Sequence, residues 1–164
     1  MPCKEIRLEG ILGAGDLTAA VIQKKILALH EEKMSVMLSI DSEGGSVDDV
    51  IDIVAFCRYF EIPFDTCAAG KVCSAAFLLF CHGERRLSTA NAEFLYHRPS
   101  QYIHGHEDDW AGIGQCLVFR ELAATNPVLR RALEYQNGSE TEDIEFPIPF
   151  LLKAGVVTGI IDGY

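Results

Sequence analysis

The chain has 164 residues, 49% of them hydrophobic, enough for one compact domain with a buried core. It carries 24 acidic against 14 basic residues, a formal net charge of −10, and no clustered Lys or Arg to grip a nucleic-acid backbone, so nucleic acid is excluded as a partner. No apolar run is long enough to cross a bilayer, and Met1 to Glu5 leads into a strand pattern with no signal-peptide core; a cytoplasmic protein away from membranes is expected.

Residues 5–12 alternate as a strand and end at Gly13-Ala14-Gly15. Asp16 is placed to cap a helix reaching about Glu32, with Ile22, Ile26 and Leu29 on one face. Residues 35–40 are nearly all apolar, the pattern of a strand covered on both faces. Residues 41–46 read as a loop, and Ser46 as the cap of a helix whose stripe is Val47, Val50, Val54 and Cys57. Glu61-Ile62-Pro63 breaks that helix, and a buried strand follows over 64–69. Gly70 is predicted as a turn before a short apolar helix opening at Ser74. The order β-α-β-α-β-α with short loops predicts an α/β layer fold.

Beyond this helix the pattern changes. Residues 85–88 and 93–97 read as short strands, and 98–106 as a loop leading to a helix over about 107–124. Asn126-Pro127 interrupts it, and a second helical piece runs to Gln136 and stops at Asn137-Gly138. An acidic linker over 139–145 precedes a helix at 147–154 and a last strand at 156–161. The six cysteines, at 3, 57, 67, 73, 81 and 116, contain no C-x-x-C and lie mostly in apolar runs; they read as reduced core thiols, neither a disulfide frame nor a zinc site.

Chemistry can concentrate at a few places. A hydroxyl at a helix N-terminus, as at Ser74, sits among unpaired N–H groups, which suits a nucleophile whose reaction develops an oxyanion. The same position suits a plain helix cap. His97, ending a strand beside a loop, is either a general base or a half-buried His satisfied by a carbonyl. Gly44-Gly45 can bring backbone N–H groups close to an anion, or can be a simple βα turn. It matches neither the P-loop nor the dinucleotide glycine pattern. Candidate carboxylates to orient His97 are Glu142, Asp143 and Glu145, and position alone does not choose among them. His104 and His106 in an acidic loop are a weak metal signal, and no metal is expected. His82, next to Gly83, reads as a surface turn residue.

The ordered set Ile40-Asp41-Ser42-Glu43-Gly44-Gly45-Ser46-Val47, Gly70-Lys71-Val72-Cys73-Ser74-Ala75-Ala76 and Tyr96-His97-Arg98-Pro99 resembles the Clp proteolytic subunit family (ClpP), within the ClpP/crotonase superfamily. Residues 151–162 are similar to that family's closing helix and strand. The resemblance implies a ClpP/crotonase-like superhelix of β-α units, one serine peptidase domain over 1–164, and a helical handle at about 107–136. It implies Ser74 as nucleophile, His97 as general base, Asp143 as the triad carboxylate by its spacing to Gly155, and the amides of Gly45 and Ala75 as the oxyanion hole. Peptide bonds would be hydrolysed through an acyl-enzyme, without metal or cofactor, on peptide or protein substrates, in a homo-oligomer joined through the handle.

Several residues depart from the family pattern. Asp41 and Glu43 stand where Asn and Pro are usual, bringing negative charge near an oxyanion site. Cys73 stands for a small Ala. The first core strand begins almost at Met1, without the family's axial segment, which argues against a Clp-type ATPase partner. Two alternatives therefore stand beside the peptidase: a catalytically impaired ClpP-like scaffold, and a crotonase-type acyl-CoA enzyme. The second would need a basic surface for CoA phosphates, which this acidic chain lacks.

Overall fold

Alternation of apolar strands with amphipathic helices builds the first half of the chain. The structure is a computed structural model and describes residues 2–96, 102–103, 106–107, 126–133 and 144–162. Strand β1 (Cys3–Leu12) leads through a 3-10 turn to helix α1 (Ala19–Glu31), β2 (Ser35–Gly45), α2 (Val47–Tyr59), β3 (Phe64–Cys73) and α3 (Ala75–Phe80). After β4 (Arg86–Thr89) and β5 (Glu93–Tyr96) come β6 (Tyr102–Ile103), β7 (His106–Glu107), α4 (Pro127–Leu133), β8 (Ile144–Glu145), α5 (Ile148–Lys153) and β9 (Gly159–Ile161). The mostly parallel sheet runs β1-β2-β3-β4-β9, with β5 parallel to the far half of β3 and β8 antiparallel to β5. This is the α/β class that the strand–helix alternation predicts.

One apolar cluster fills the space between sheet and helices. Leu8, Leu38 and Ile40 are wholly buried with Ile22 and Ile26 of α1 and Ile53 of α2, while all six residues of α3 are buried. Phe77 of α3 stacks on Phe146 with ring centroids 5.0 Å apart and meets Phe94 of β5 edge-on at 6.2 Å. Removing an aromatic ring of this kind from a core typically costs about 3–5 kcal/mol. The helix that begins at Ser74 is therefore fixed on every side.

The local signals hold in places and yield to tertiary partners in others. Ser46 caps α2 as its sequence predicts, accepting the Asp49 N–H at 3.1 Å. Asp16 does not cap α1: it falls in the 3-10 turn Gly15–Leu17, and the Ala19 N–H is donated instead to Asp49 Oδ1 at 2.6 Å. A carboxylate from the neighbouring helix thus supplies what the local sequence was expected to give. Glu107 does not open a helix, because Tyr102–Ile103 and His106–Glu107 pair as a short antiparallel ribbon. Asn126 and Pro127 begin α4 rather than merely breaking a helix, since Asn126 Oδ1 accepts the N–H groups of Val128 and Leu129. Of the expected handle at 107–136, residues 108–125 and 134–136 lie outside the described residues.

His82 is also not the surface turn residue its Gly neighbour predicts. It packs at the end of α3, its Nδ1 2.8 Å from the Leu78 carbonyl, and its Nε2 is buried without a partner among the described residues. Nearby, the buried Arg86 guanidinium donates to the carbonyls of Gly83, Glu84, Gly155 and Val156, tying the exit of α5 to the start of β4. Burial lowers its pKa from the ordinary value. Five of the cysteines are described, all as free thiols, with Cys57, Cys67 and Cys81 buried. Among the described residues no helix is long and apolar enough to cross a membrane.

Candidate active site

Two strands run past their predicted ends and meet at one place. β2 continues through Asp41 to Gly45, and β3 continues through Gly70 to Cys73. Their register breaks between: Ile40 faces Ala68, but Ser42 faces Val72, so β3 carries extra residues in a bulge. A second break separates β2 from β1, between the pairs Glu9–Asp41 and Ile11–Gly44. Past its bulge β3 leaves β4 and pairs with β5, Lys71 to Glu93 through Cys73 to Leu95.

Each bulge leaves backbone groups that a side chain satisfies. At the β1 side the buried Ser42 hydroxyl accepts the Gly44 N–H at 3.1 Å. At the β3 side Asp41 Oδ1 accepts the Lys71 N–H at 2.8 Å. The Asp41 carboxylate occupies the space where a side chain at Gly70 would sit, which explains a glycine there with no turn and no positive φ. Glu43 takes the other end of the same residue, its Oε1 2.7 Å from Lys71 Nζ. This hydrogen-bonded pair lowers the Glu43 pKa and raises that of Lys71. The two acids that depart from the family pattern are thus both engaged on residue 71.

The repositioned strand ends bring Gly44 against Ser74. A Cβ at Gly44, whose φ is +105°, would come within 2.8 Å of both the Cys73 carbonyl and the Ser74 Cβ, and 3.2 Å from the Ala75 nitrogen. Only a residue without a side chain permits this approach. Gly45, at φ +135°, packs its other side against the Leu12 backbone of β1.

Ser74 itself has φ +54° and ψ −122°, a conformation that residues with a Cβ rarely adopt. Its N–H is donated to the Leu95 carbonyl at 2.9 Å and its own carbonyl accepts from Phe77 and Leu78. The side chain makes no capping bond to α3, in contrast to Ser46 on α2. Strain of this kind costs of order 1–3 kcal/mol and survives where surrounding structure imposes it. Here α3 on one side and the Leu95 bond on the other impose it. The Ala75 N–H is the first of α3 and has no acceptor within its own helix.

Cys73, half-buried just before Ser74, has its thiol pKa raised by burial. It lines a cleft of about 850 Å³ together with Lys71, Leu95 and Phe146. Of the remaining predicted site residues, His97, Glu142 and Asp143 lie outside the described residues, as does His104. Their neighbours are described: Leu95 pairs with Glu145 and Tyr96 with Ile144. Sequence reasoning missed Asp41, Ser42 and Gly70 as builders of this corner. The available signal was an Asp just past a buried strand and a lone glycine inside another, neither of which names its partner.

The Clp protease family profile matches residues 11–147 of the chain. Over 147 residues it is 29% identical to the ATP-dependent Clp protease proteolytic subunit 2 of Borreliella burgdorferi, covering 85% of this chain and 72% of that one. The subunit of the same name from Frankia casuarinae is 26% identical over 133 residues, 79% of this chain and 59% of its own length. Among solved structures, a point mutant of ClpP1 from Listeria monocytogenes matches with a TM-score of 0.70 at 19% identity, over 97% of this chain and 91% of that one, which shows the shared fold. The chain belongs to the Clp protease family, and its kinship is with serine peptidases of the ClpP type.

Proposed function

We propose that the chain hydrolyses peptide bonds with Ser74 as nucleophile, His97 as general base and Asp143 as the carboxylate that orients it. The observation that carries this reading is the state of Ser74: held at positive φ, making no capping bond to α3, and pressed against Gly44, which also approaches the first amide of α3. Strain kept at a hydroxyl, with no structural bond to justify it, is what a positioned nucleophile entails. His97 takes the proton from Ser74 Oγ as it attacks the peptide carbonyl, and the N–H groups of Gly45 and Ala75 receive the tetrahedral oxyanion. Collapse breaks the C–N bond, the amine leaving with the proton from His97. Water, deprotonated by His97, then hydrolyses the acyl-enzyme and frees Ser74.

The choice among the acids rests on the strand pairing. Tyr96 and Ile144 are cross-strand partners, and the next residues along the two chains are His97 and Asp143. Glu145 is opposite Leu95, one step back, and Glu142 is one step further on. This favours Asp143. The impaired-scaffold alternative rests on Asp41, Glu43 or a misplaced Asp143; the engagement of the first two with Lys71 weakens that part of it, and Asp143 lies outside the described residues. Self-association through residues 107–136 and a cytoplasmic setting belong to the same proposal, the second supported by buried free thiols.

Cleavage of unstructured protein or fluorogenic peptides tests it. Ser74→Ala and His97→Ala should each lower kcat by roughly 10³-fold or more. Asp143→Asn should cost far more than Glu142→Gln or Glu145→Gln. A wild-type chain that assembles yet cleaves nothing, or a Ser74→Ala chain that cleaves normally, refutes the reading.

A further inference from the structure

Two carboxylates beside an oxyanion-binding backbone are unfavourable unless they are committed elsewhere. Asp41 is committed to a backbone N–H inside the β2–β3 bulge, that of Lys71. It is wedged against Gly70, so its place depends on residue 70 having no side chain. Glu43, two residues further on, reaches over to the Lys71 side chain. Residue 71 lies three before Ser74, and residues 41 and 43 lie just before Gly44 and Gly45. The two strand ends that carry the nucleophile and the oxyanion donors are thus fastened to each other at residue 71, by its backbone and its side chain, beside the Ser42–Val72 pair.

We propose that Asp41, assisted by the Glu43–Lys71 pair, is a positioning residue that sets the separation of the Gly45 and Ala75 amides; the inference rests on the reading of Ser74 as nucleophile. With Asp41 removed, the Lys71 N–H loses its acceptor and the bulge loses the wedge that holds β3 off the regular ladder. β3 can then shift towards regular pairing, carrying Ala75 away from Gly44. The loss falls on the oxyanion, which forms during reaction, and little on bound substrate. An Asn at this position offers an acceptor oxygen of the same reach and preserves the wedge. The Glu43–Lys71 pair is largely exposed, with side chains 65% and 52% accessible, and such pairs contribute little alone.

The test compares fluorophosphonate labelling at Ser74 and peptide kcat and KM in wild type, Asp41→Ala, Asp41→Asn, Gly70→Ala and the Asp41→Ala/Gly70→Ala double variant. Asp41→Ala and Gly70→Ala should each slow labelling and lower kcat about tenfold or more, with KM within about twofold. The double variant should be no worse than either single one, since both remove the same wedge. Asp41→Asn should stay within about threefold of wild type. Amide hydrogen exchange across residues 71–75 should rise in Asp41→Ala and not in Asp41→Asn. Labelling and exchange of Asp41→Ala equal to wild type, or Asn failing as badly as Ala, overturns the proposal. A wild type that resists labelling refutes the nucleophile reading, and the exchange comparison then decides the clamp by itself.

Discussion

Ser74 joins two demands that conflict. Its φ of +54° favours glycine, yet the chemistry proposed for it needs a hydroxyl. Replacing it separates the two. Ser74→Gly removes the Cβ that makes this backbone conformation costly, whereas Ser74→Ala keeps the Cβ and loses only the hydroxyl. The glycine variant should therefore be more stable than the alanine variant by about 1 kcal/mol, with both lacking peptidase activity. Chemical denaturation of the two proteins measures this. An alanine variant as stable as the glycine one would mean that the conformation at position 74 carries no strain. Residue-scale signals in the sequence were one-sided: Ser46 as a cap was legible because its partner is three residues away. Asp41 was legible only as an anomaly, because its partner is thirty residues away across a bulge.

At the scale of elements, α3 connects the site to the rest of the core. It begins at Ser74 and ends where His82 packs against the Leu78 carbonyl, beside the Asn126 side chain, which donates to the Cys81 carbonyl at 3.0 Å. Burial, with the positive charge of Arg58 as a lesser cause, lowers the His82 pKa from its ordinary value of 6.5. The unfolded chain therefore takes up this proton more readily than the folded one. The stability due to neutral His82 is complete above about pH 6.5 and is lost as pH falls through the depressed folded value. Melting temperature should drop between pH 7 and 5, and His82→Asn, which can still donate to the Leu78 carbonyl, should flatten the drop. Parallel pH profiles for the two proteins would contradict this. The existence and order of β1 to α3 were legible from hydrophobic periodicity. Strand ends at Gly45 and Cys73 were not, because a bulge is defined by register with another strand and leaves no period of its own.

For the molecule as a whole, the parallel sheet and its covering helices fix a corner where β2, β3, α3 and β5 converge, and the family's reaction is proposed to occur there. The α/β class and the ordered motifs were readable because each depends on local spacing. The handle expected at 107–136 and the choice of Asp143 as the proposed triad carboxylate came only through resemblance, since no local pattern joins residues so far apart in sequence, whereas His97 was already a candidate base from its place at a strand end. The most direct measurement is intact-mass and peptide-level detection of fluorophosphonate adducts on the assembled protein. The account predicts one adduct per chain, on the peptide containing Ser74, absent in Ser74→Ala and strongly slowed in His97→Ala. A folded wild-type protein that takes no adduct, or an equal adduct on Ser74→Ala, would contradict it.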